Sequence, residues 1–494
     1  MTFDEWLDLF ERVPDETIER YHYYRAHQSE PAQWSAYLFP PQTFAVYGCR
    51  HLRRLKFDNS LAALRMWGFI QNETERLFRA RQLGFKVIAT MGDLGAVPVI
   101  ASAFPGCIAF YPDCTWWTPF VMESNVLFDA AAELGIGEAT CFSRAALGAF
   151  AKHSYFPDPD LVIASTGATC DDYSGVESRV ATLVPEMLWV EVPMRADGRA
   201  CHGCSSGRAT TTDSCTEYDP AVRELLVQEY RRVVARLETL TGHRLTEADL
   251  DHSIALANRV RTLTRELSEL AYGKGALPAL EMMAVEFGCL HGYSDFAEWC
   301  DILEHLLDTA RRRVEAGDLP LDSDALRIAW SSPPADPLFL CHVEDLGCRV
   351  VATEYLINQA LEEIAEGTEW PRDRENEKPD AVVAIDNRLS AIAESFMAAS
   401  LIGSSRQRAA TFIRRARARG AEGVVVSGVL GGSHCAMESR PIAEEVRAGL
   451  GVPLLEFDVL SPAREVNRQI ATRIEAFVEV LRGRRGAQPA GARR

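Results

Sequence analysis

Two series of short apolar runs constrain the fold of this chain more than any other feature. The first series lies in residues 81–220 and includes "DLVIASTGATCDD" and "MLWVEV". The second lies in residues 321–483 and includes "AEGVVVSGVLGG" and "VPLLEFDVL". Such runs, separated by helix-length segments, are typical of buried strands in parallel sheets, where each connection needs a crossover. The sequence therefore predicts an α/β protein with two Rossmann-like, parallel-sheet domains.

Helical periodicity fills the interval between the two series. Residues 221–320 contain "AVRELLVQEYRRVVARLETL" and "DHSIALANRVRTLTRELSEL", where apolar residues recur every three or four positions. Residues 1–80 show a similar pattern, and "SLAALRMWGFIQNETERLFRARQ" predicts one amphipathic helix. We therefore expect a helical N-terminal addition and a helical segment that joins the two domains. The basic, Gly/Ala-rich stretch of residues 484–494 predicts a disordered tail.

Charge and composition disfavour several classes of partner. The chain carries 70 acidic and 52 basic residues, a net charge of −18, which is unsuited to nucleic acid or to an anionic membrane. No apolar run is long enough for a transmembrane helix. The acidic N-terminus "MTFDEWLDLFERV" does not resemble a secretion signal. We expect a cytoplasmic protein.

The 13 cysteines are of different kinds. In a large chain without an export signal, disulfides are less expected than metal-binding or buried thiols. Some cysteines stand in apolar or helical contexts, where cysteine packs as a small hydrophobic residue. These are Cys289, Cys300, Cys341 and Cys348.

Three other cysteines stand at the edges of predicted elements. Cys170 follows a strand of the first domain, Cys435 follows a similar strand of the second, and Cys141 opens a short helix. Ligands collect at the carboxyl ends of parallel strands, and a helix N-terminus favours a thiolate. We therefore expect these thiols to converge on a cleft between the domains. Zinc sites usually use closer pairs such as CxxC, whereas iron–sulfur clusters accept dispersed cysteines. Spacing alone leaves unrelated buried cysteines as the alternative.

The stretches around these three cysteines resemble one known family. They are "CFSRAALG" from Cys141, "VIASTGATCDD" with Cys170 and "SHCAME" with Cys435. Together they resemble the subunits of 2-hydroxyacyl-CoA dehydratases and ATP-dependent benzoyl-CoA reductases. The segments "SSPPADPLFLCHVEDLGCRVVATEY" and "RIEAFVEVL" are similar to the same family. The resemblance extends from about residue 82 to residue 482.

This resemblance implies a [4Fe-4S] cluster held by Cys141, Cys170 and Cys435. It implies an enzyme subunit acting on an acyl-CoA under anaerobic conditions. The reaction is either a ketyl-radical dehydration of a 2-hydroxyacyl-CoA, a lyase activity, or the reduction of an aromatic acyl-CoA, an oxidoreductase activity. It also implies a homologous second subunit, in a heterodimer or a self-dimer, and an ATP-dependent iron–sulfur activator. Catalytic residues remain unknown. His434, which adjoins Cys435, is a candidate for proton transfer, and Glu438, three residues after Cys435, is a candidate base.

Additional thiols leave two other functions open. The extra cysteines are Cys107, Cys114, Cys201, Cys204 and Cys215. A double-cubane-type iron–sulfur reductase of small molecules would need more than three thiols. The other alternative is a non-catalytic homologue that keeps the fold and either stores electrons or has lost its cluster and serves as a scaffold. We expect the loop "CHGCSSGRATTTDSC" to hold no catalytic cluster, because His202 is the one further ligand apparent there.

Overall fold

The fold is built on two four-stranded parallel sheets. In the computed structural model, the described residues are 58, 60–71, 73–95, 97–112, 115, 125–167, 170–194, 220–331, 338–354, 364–365, 380–429, 432–459 and 466–487. The strands of the first sheet are β1 (Lys86–Thr90), β2 (Cys107–Phe110), β3 (Leu161–Gly167) and β4 (Met187–Val192). Those of the second are β5 (Leu326–Ser331), β6 (Cys348–Glu354), β7 (Gly423–Val429) and β8 (Leu454–Val459). The predicted α/β architecture with two parallel sheets is confirmed.

Both sheets have the same topology. Their strand orders are β2-β1-β3-β4 and β6-β5-β7-β8, and every neighbouring pair is parallel. In each sheet the order reverses beside the first strand, between β1 and β3 and between β5 and β7. Connections on either side of such a switch point leave in opposite directions, which opens a crevice at the carboxyl ends of the two strands. The fold therefore offers one crevice in each domain.

Fifteen helices surround the sheets in the described part of the chain. Before and within the first sheet lie α1 (Leu61–Gln71), α2 (Glu73–Gln82), α3 (Val97–Ser102), α4 (Val126–Glu133), α5 (Arg144–Lys152) and α6 (Asp171–Val180). Between the sheets lie α7 (Pro220–Thr241), α8 (Glu247–Lys274), α9 (Ala279–His291) and α10 (Phe296–Ala316). The second sheet carries α11 (Leu338–Asp345), α12 (Asp380–Met397), α13 (Ser405–Ala418), α14 (Ser433–Leu450) and α15 (Val466–Ala487). None of the helices described here is long and apolar enough to cross a membrane.

The helices between the sheets contact both domains. Helix α7 packs against β4, and α8 packs against α3 of the first domain and β6 of the second. Helix α8 begins with a capping box, in which Thr246 accepts the Asp249 amide and the Asp249 carboxylate accepts the Thr246 amide. The core that joins these helices to the first sheet continues into one side of the second sheet. The helical segment therefore connects the two domains through a shared hydrophobic core.

The N-terminal helices differ from the sequence prediction. Where one helix is predicted, α1 and α2 lie on either side of residue 72. Helix α1 packs on α9 and α10, whereas α2 packs on β1. The two helices therefore cover different surfaces, which a single straight helix could not do. The boundary at residue 80 stays a prediction, and residues 1–57 lie outside the described part.

The C-terminal boundary also differs from the prediction. Helix α15 continues to Ala487, so residues 484–487 are helical rather than part of a disordered tail. The Arg485 guanidinium explains this, because it donates to Glu422 Oε2 at 2.6 Å and to the Ala325 carbonyl at 3.1 Å. These bonds join the last turn of the helix to the amino-terminal edge of the second sheet.

Candidate functional site

Cys170 lies where the chain passes from β3 into α6. It is the N-cap residue of α6, with extended backbone (φ −95°, ψ 122°), and 7% of its surface is exposed. The first turn of the helix presents backbone N–H groups to this position. Asp171 and Asp172 occupy that same turn, as acidic residues commonly do at a helix N-terminus. The predicted strand, loop and cysteine thus have the geometry of a strand-to-helix turn.

A glycine and a buried glutamate determine how the chain makes this turn. Gly167 has φ +99°, and a Cβ atom there would lie 2.4 Å from the Val192 carbonyl oxygen of β4. Farther along α6, the buried Glu177 accepts the Ser165 N–H of β3 at 3.2 Å on each carboxylate oxygen. This contact holds α6 against β3 beyond the point where β1 stops pairing. Both features fix the position of Cys170.

Cys141 precedes α5 by three residues and lies in a polar setting. The Ser143 N–H donates to Cys141 Sγ at 3.3 Å, and Ser143 Oγ lies 3.0 Å from the same sulfur. The Arg144 guanidinium donates to the Cys141 carbonyl at 3.2 Å. A donor N–H and a nearby cation both stabilise negative charge on sulfur. Cys141 therefore has the surroundings of a potential thiolate ligand.

Arg144 relates the Cys141 turn to the Cys170 turn. Its side chain is buried, with the guanidinium carbon 4.1 Å from the centre of the Phe128 ring. Burial lowers the pKa of Arg144, and the nearby Cys141, Glu138 and Asp172 oppose that shift. Because Asp172 stands two residues after Cys170, its interaction with Arg144 links the beginnings of α5 and α6 electrostatically.

Cys435 occupies the topologically equivalent place in the second domain. After β7 the chain reaches Gly432, the N-cap residue of α14, and Cys435 is the third residue of that helix. Strands β3 and β7 are each the third strand in the order of their sheet, so Cys170 and Cys435 follow equivalent strands, as predicted. The backbones of His434 and Cys435 are described, but their side chains lie outside the described set.

Helix α6 brings the three cysteine-bearing segments near one another. It packs against α5, which follows Cys141, and it contacts α14, which carries Cys435. Among the described side chains, no three His, Cys, Asp or Glu residues form a group able to bind a metal. The Cys435 thiol is not among those side chains. Cys141, Cys170 and Cys435 stay predicted ligands, and the helix that Cys170 caps contacts the helices associated with the other two.

A buried ion-pair network that the sequence does not predict lies beside α14. Arg408 of α13 donates to Glu354 at the end of β6 through two bonds of 3.0 Å, and also to Glu438 of α14. Ser331 at the end of β5 donates to the same Glu354 carboxylate at 3.1 Å. Glu438 is thus ion-paired, and its candidacy as a base stays a prediction. These residues are far apart along the chain, so no local sequence pattern predicts the network.

Several other cysteines behave as packing residues. Cys300, Cys341 and Cys348 are buried, as predicted. Burial raises the pKa of Cys300 and of Cys348 to about 12. It does the same for Cys107 of β2, with a smaller contribution from Asp160, which disfavours the thiolate that an iron ligand requires. The Cys289 side chain and the whole of Cys114, Cys201, Cys204 and Cys215 lie outside the described residues.

The sequence of this region also matches a known protein family. Residues 117–481, well over half of the 494-residue chain, match the family of the 2-hydroxyglutaryl-CoA dehydratase D-component. The chain belongs to this D-component family. No curated protein matches the chain. The predicted membership of the 2-hydroxyacyl-CoA dehydratase group is confirmed.

The extent of the match defines which parts of the chain are shared with other D-component proteins. It includes Cys141, Cys170, Cys435 and the network around Arg408. It begins after β2, whereas the resemblance noted in the sequence begins near residue 82. The strands β1 and β2 nevertheless complete the first sheet of this D-component protein. Family membership therefore covers the candidate site, while the first two strands are assigned by structure alone.

Proposed function

We propose that this chain is the iron–sulfur subunit of an enzyme that dehydrates a 2-hydroxyacyl-CoA. The observation that carries the proposal is the arrangement of three cysteines around the starts of three helices. Cys141 precedes α5 by three residues, Cys170 is the N-cap of α6, and Cys435 is in the first turn of α14, while α6 contacts both α5 and α14. Family membership supports an acyl-CoA dehydratase component. It favours dehydration over reduction of an aromatic acyl-CoA, because the matched family is a dehydratase family.

Cys141, Cys170 and Cys435 are the residues that we propose hold a [4Fe-4S] cluster. Cysteine thiolates are the usual ligands of such clusters, and three of them leave one iron with an open position. The described surroundings fit this group, because N–H donors and Arg144 stand beside Cys141, and Cys170 caps a helix. Hydrogen bonds to sulfur and burial are also the factors by which a protein adjusts a cluster's potential.

The chain's own residues would orient the substrate and exclude water from it. When bound, the cluster supplies a low-potential electron and a Lewis-acidic iron. Burial of Cys170, Ser143 and Arg144 limits solvent access around the proposed ligands. His434 directly precedes Cys435 on α14, and we propose it as a proton donor near the reacting groups.

We further propose two partners. The name of the matched family describes one component of an enzyme, which supports a second, homologous subunit, in a heterodimer or a self-dimer. The glycine-rich stretches "GVLGGS" and "GLGV" of this chain lack the spacing of a phosphate-binding loop. We therefore propose that ATP is handled by a partner, an ATP-dependent iron–sulfur activator that would deliver the electron. Both partners and a cytoplasmic location follow from the proposed chemistry.

Anoxic purification and three single substitutions test the proposal. We expect a brown protein with about four irons per chain. Cys141→Ala, Cys170→Ala and Cys435→Ala should each remove most of the iron, measured by metal analysis and by the visible absorbance of the cluster. Cys300→Ala is the matched control, because Cys300 is buried within the core. This variant should keep the iron content of the wild type.

Two results would contradict this assignment. An iron-free, colourless wild-type protein would favour the scaffold alternative. A loss of iron in the Cys300 variant as large as that in the Cys435 variant would show that the ligands are wrongly assigned.

A further inference from the structure

The first turns of α14 are tied to the second sheet by a buried network of charged side chains. Arg408 is held on one side by the bidentate contact with Glu354, with both side chains at most 4% exposed. On its other side, the Arg408 Nη1 group donates to Glu438, whose side chain is 20% exposed. The Ser331 hydroxyl completes the hydrogen bonding of Glu354. The network therefore runs from the carboxyl ends of β5 and β6 to α14.

Glu438 connects this network to the part of α14 that carries Cys435. Glu438 lies three residues after Cys435, and residues at that spacing are neighbours on the surface of a helix. Helix α14 begins just before, at the buried N-cap residue Gly432. A tether at Glu438 therefore restrains the turn that carries Cys435.

Burial makes this tether stronger than an ordinary surface ion pair. Charges removed from water attract more strongly, and a guanidinium held by two carboxylates keeps a defined geometry. The same helix carries an exposed pair for comparison, Arg440 with Glu444, whose side chains are 80% and 62% exposed. Exposed pairs of this kind contribute little to structure. One charged pair on α14 thus restrains the helix, and the other does not.

We propose that Arg408 and Glu438 are positioning residues for Cys435. They hold the first turns of α14 at the carboxyl edge of the second sheet, so that the backbone of Cys435 has a fixed position before any cluster binds. Glu177 has a corresponding role in the first domain, where its carboxylate accepts a backbone N–H of β3 and so holds α6 against that strand. The inference rests on the proposed function for the role of Cys435 as a ligand, but the restraint on α14 can be tested without iron, through the reactivity of the Cys435 thiol.

Glu438→Ala is the decisive variant. Glu354 still pairs with Arg408 in this variant, so the buried cation keeps a partner and the fold should be preserved. We expect the cluster to be lost to an iron chelator about tenfold faster than in the wild type, as is common when the partner of a metal ligand is removed. Glu438→Gln keeps an oxygen acceptor for Arg408 and should restore part of the retention. Glu444→Ala is the matched control on the same helix and should behave like the wild type.

A second measurement uses the iron-free protein. We expect iodoacetamide to modify Cys435 several times faster in Glu438→Ala than in the wild type or in Glu444→Ala, because a released first turn exposes the thiol. Modification of Cys141, followed by mass spectrometry in the same samples, is the internal reference and should not change.

The outcomes separate this inference from the proposed function. If Glu438→Ala and Glu444→Ala match in both cluster loss and alkylation, the positioning role is wrong, while the Cys→Ala variants still test the ligands. If the wild type binds no iron, the proposed function fails, and the alkylation rates alone decide the positioning role. Equal acceleration at Cys141 and Cys435 would indicate general loosening of the fold and would also overturn the inference.

Discussion

Glu286 is a buried acid at the contact between the helical segment and the second sheet. Its carboxylate accepts the Tyr272 hydroxyl at 2.8 Å and the Thr353 hydroxyl at 3.0 Å. Burial raises the pKa of Glu286 to about 7, and the two hydroxyl donors limit the rise. Thr353 directly precedes Glu354 in β6, and Glu354 holds Arg408. Glu286 therefore bonds the residue next to the network beside α14.

The raised pKa of Glu286 predicts a pH-dependent stability. The unfolded chain releases this proton near the ordinary value of about 4.5, whereas the folded chain retains it until about pH 7. In that window the folded state binds more protons, so stability falls as the pH rises. A shift of this size corresponds to at most about 3 kcal/mol. Glu281 adds to the same slope, because burial and Asp58 raise its pKa to about 8.

We predict that Glu286→Gln removes part of this slope. The amide resembles the protonated acid, so the variant should gain stability relative to the wild type as the pH rises from about 5 to about 8. Urea titrations across that range measure the free energy of unfolding. Glu315→Gln, at an exposed position of α10, is the control and should leave the slope unchanged. Parallel curves for the wild type and Glu286→Gln would contradict a neutral Glu286.

At the scale of single elements, the close approach of α4 and α5 determines where Cys141 lies. Gly148 stands in the middle of α5, and a Cβ atom there would lie 2.0 Å from the Leu127 carbonyl oxygen of α4. The glycine at the end of "CFSRAALG" is therefore a packing requirement between two helices. The sequence shows the glycine but not the reason for it, because Leu127 is remote in the linear pattern.

Gly148→Ala should separate α4 from α5. Backbone atoms cannot yield as a flexible side chain can, so we expect a destabilisation of about 1–3 kcal/mol, measured as a lower urea midpoint. The iron content should fall as well, because the turn before α5 carries Cys141. Gly175→Ala is the control, since Gly175 is in α6 and its Cβ would have no neighbour within 4 Å. Alanine favours a helix over glycine, so that variant should be equally or more stable. A Gly148 variant as stable as the Gly175 variant would contradict the packing argument.

On the scale of the whole molecule, two sheets of identical order are held by one helical segment. Helix α7 is joined to α12 of the second domain by Arg231–Asp386 and Arg223–Glu394, each with an N–O distance of 2.6 Å. The contact of α6 with α14 is a second connection between the domains. The relative placement of the helices α5, α6 and α14 therefore depends on both connections.

The isolated chain should be inactive. Under the proposed function, dehydration needs one electron from an activator and a substrate site completed by a second subunit. We expect no loss of 2-hydroxyacyl-CoA when the anoxically purified chain is incubated alone, measured by chromatography of the acyl-CoA. Turnover should appear when the homologous subunit, the activator and ATP are added, and it should stop when ATP is omitted. Sustained turnover by the chain alone would show that the proposed partners are not required.

The sequence by itself determined the local elements of this protein. Short apolar runs identified β3, β4, β7 and β8, and helical periodicity identified α7 and α8, because both signals depend on neighbours within a few residues. The positions of Cys170 and Cys435 after equivalent strands could be predicted from the sequence for the same reason.

Only the tertiary structure decided what lies beside those cysteines. Contacts such as Arg408 with Glu354 and Glu438, Ser165 with Glu177, and Gly148 with Leu127 join residues separated by other elements. A single sequence does not encode which distant residues meet, because many arginines and glutamates are equivalent until packing excludes water from one pair. The division of residues 60–82 into two helices and the extension of α15 to Ala487 were decided in the same way, by the surfaces against which these helices pack.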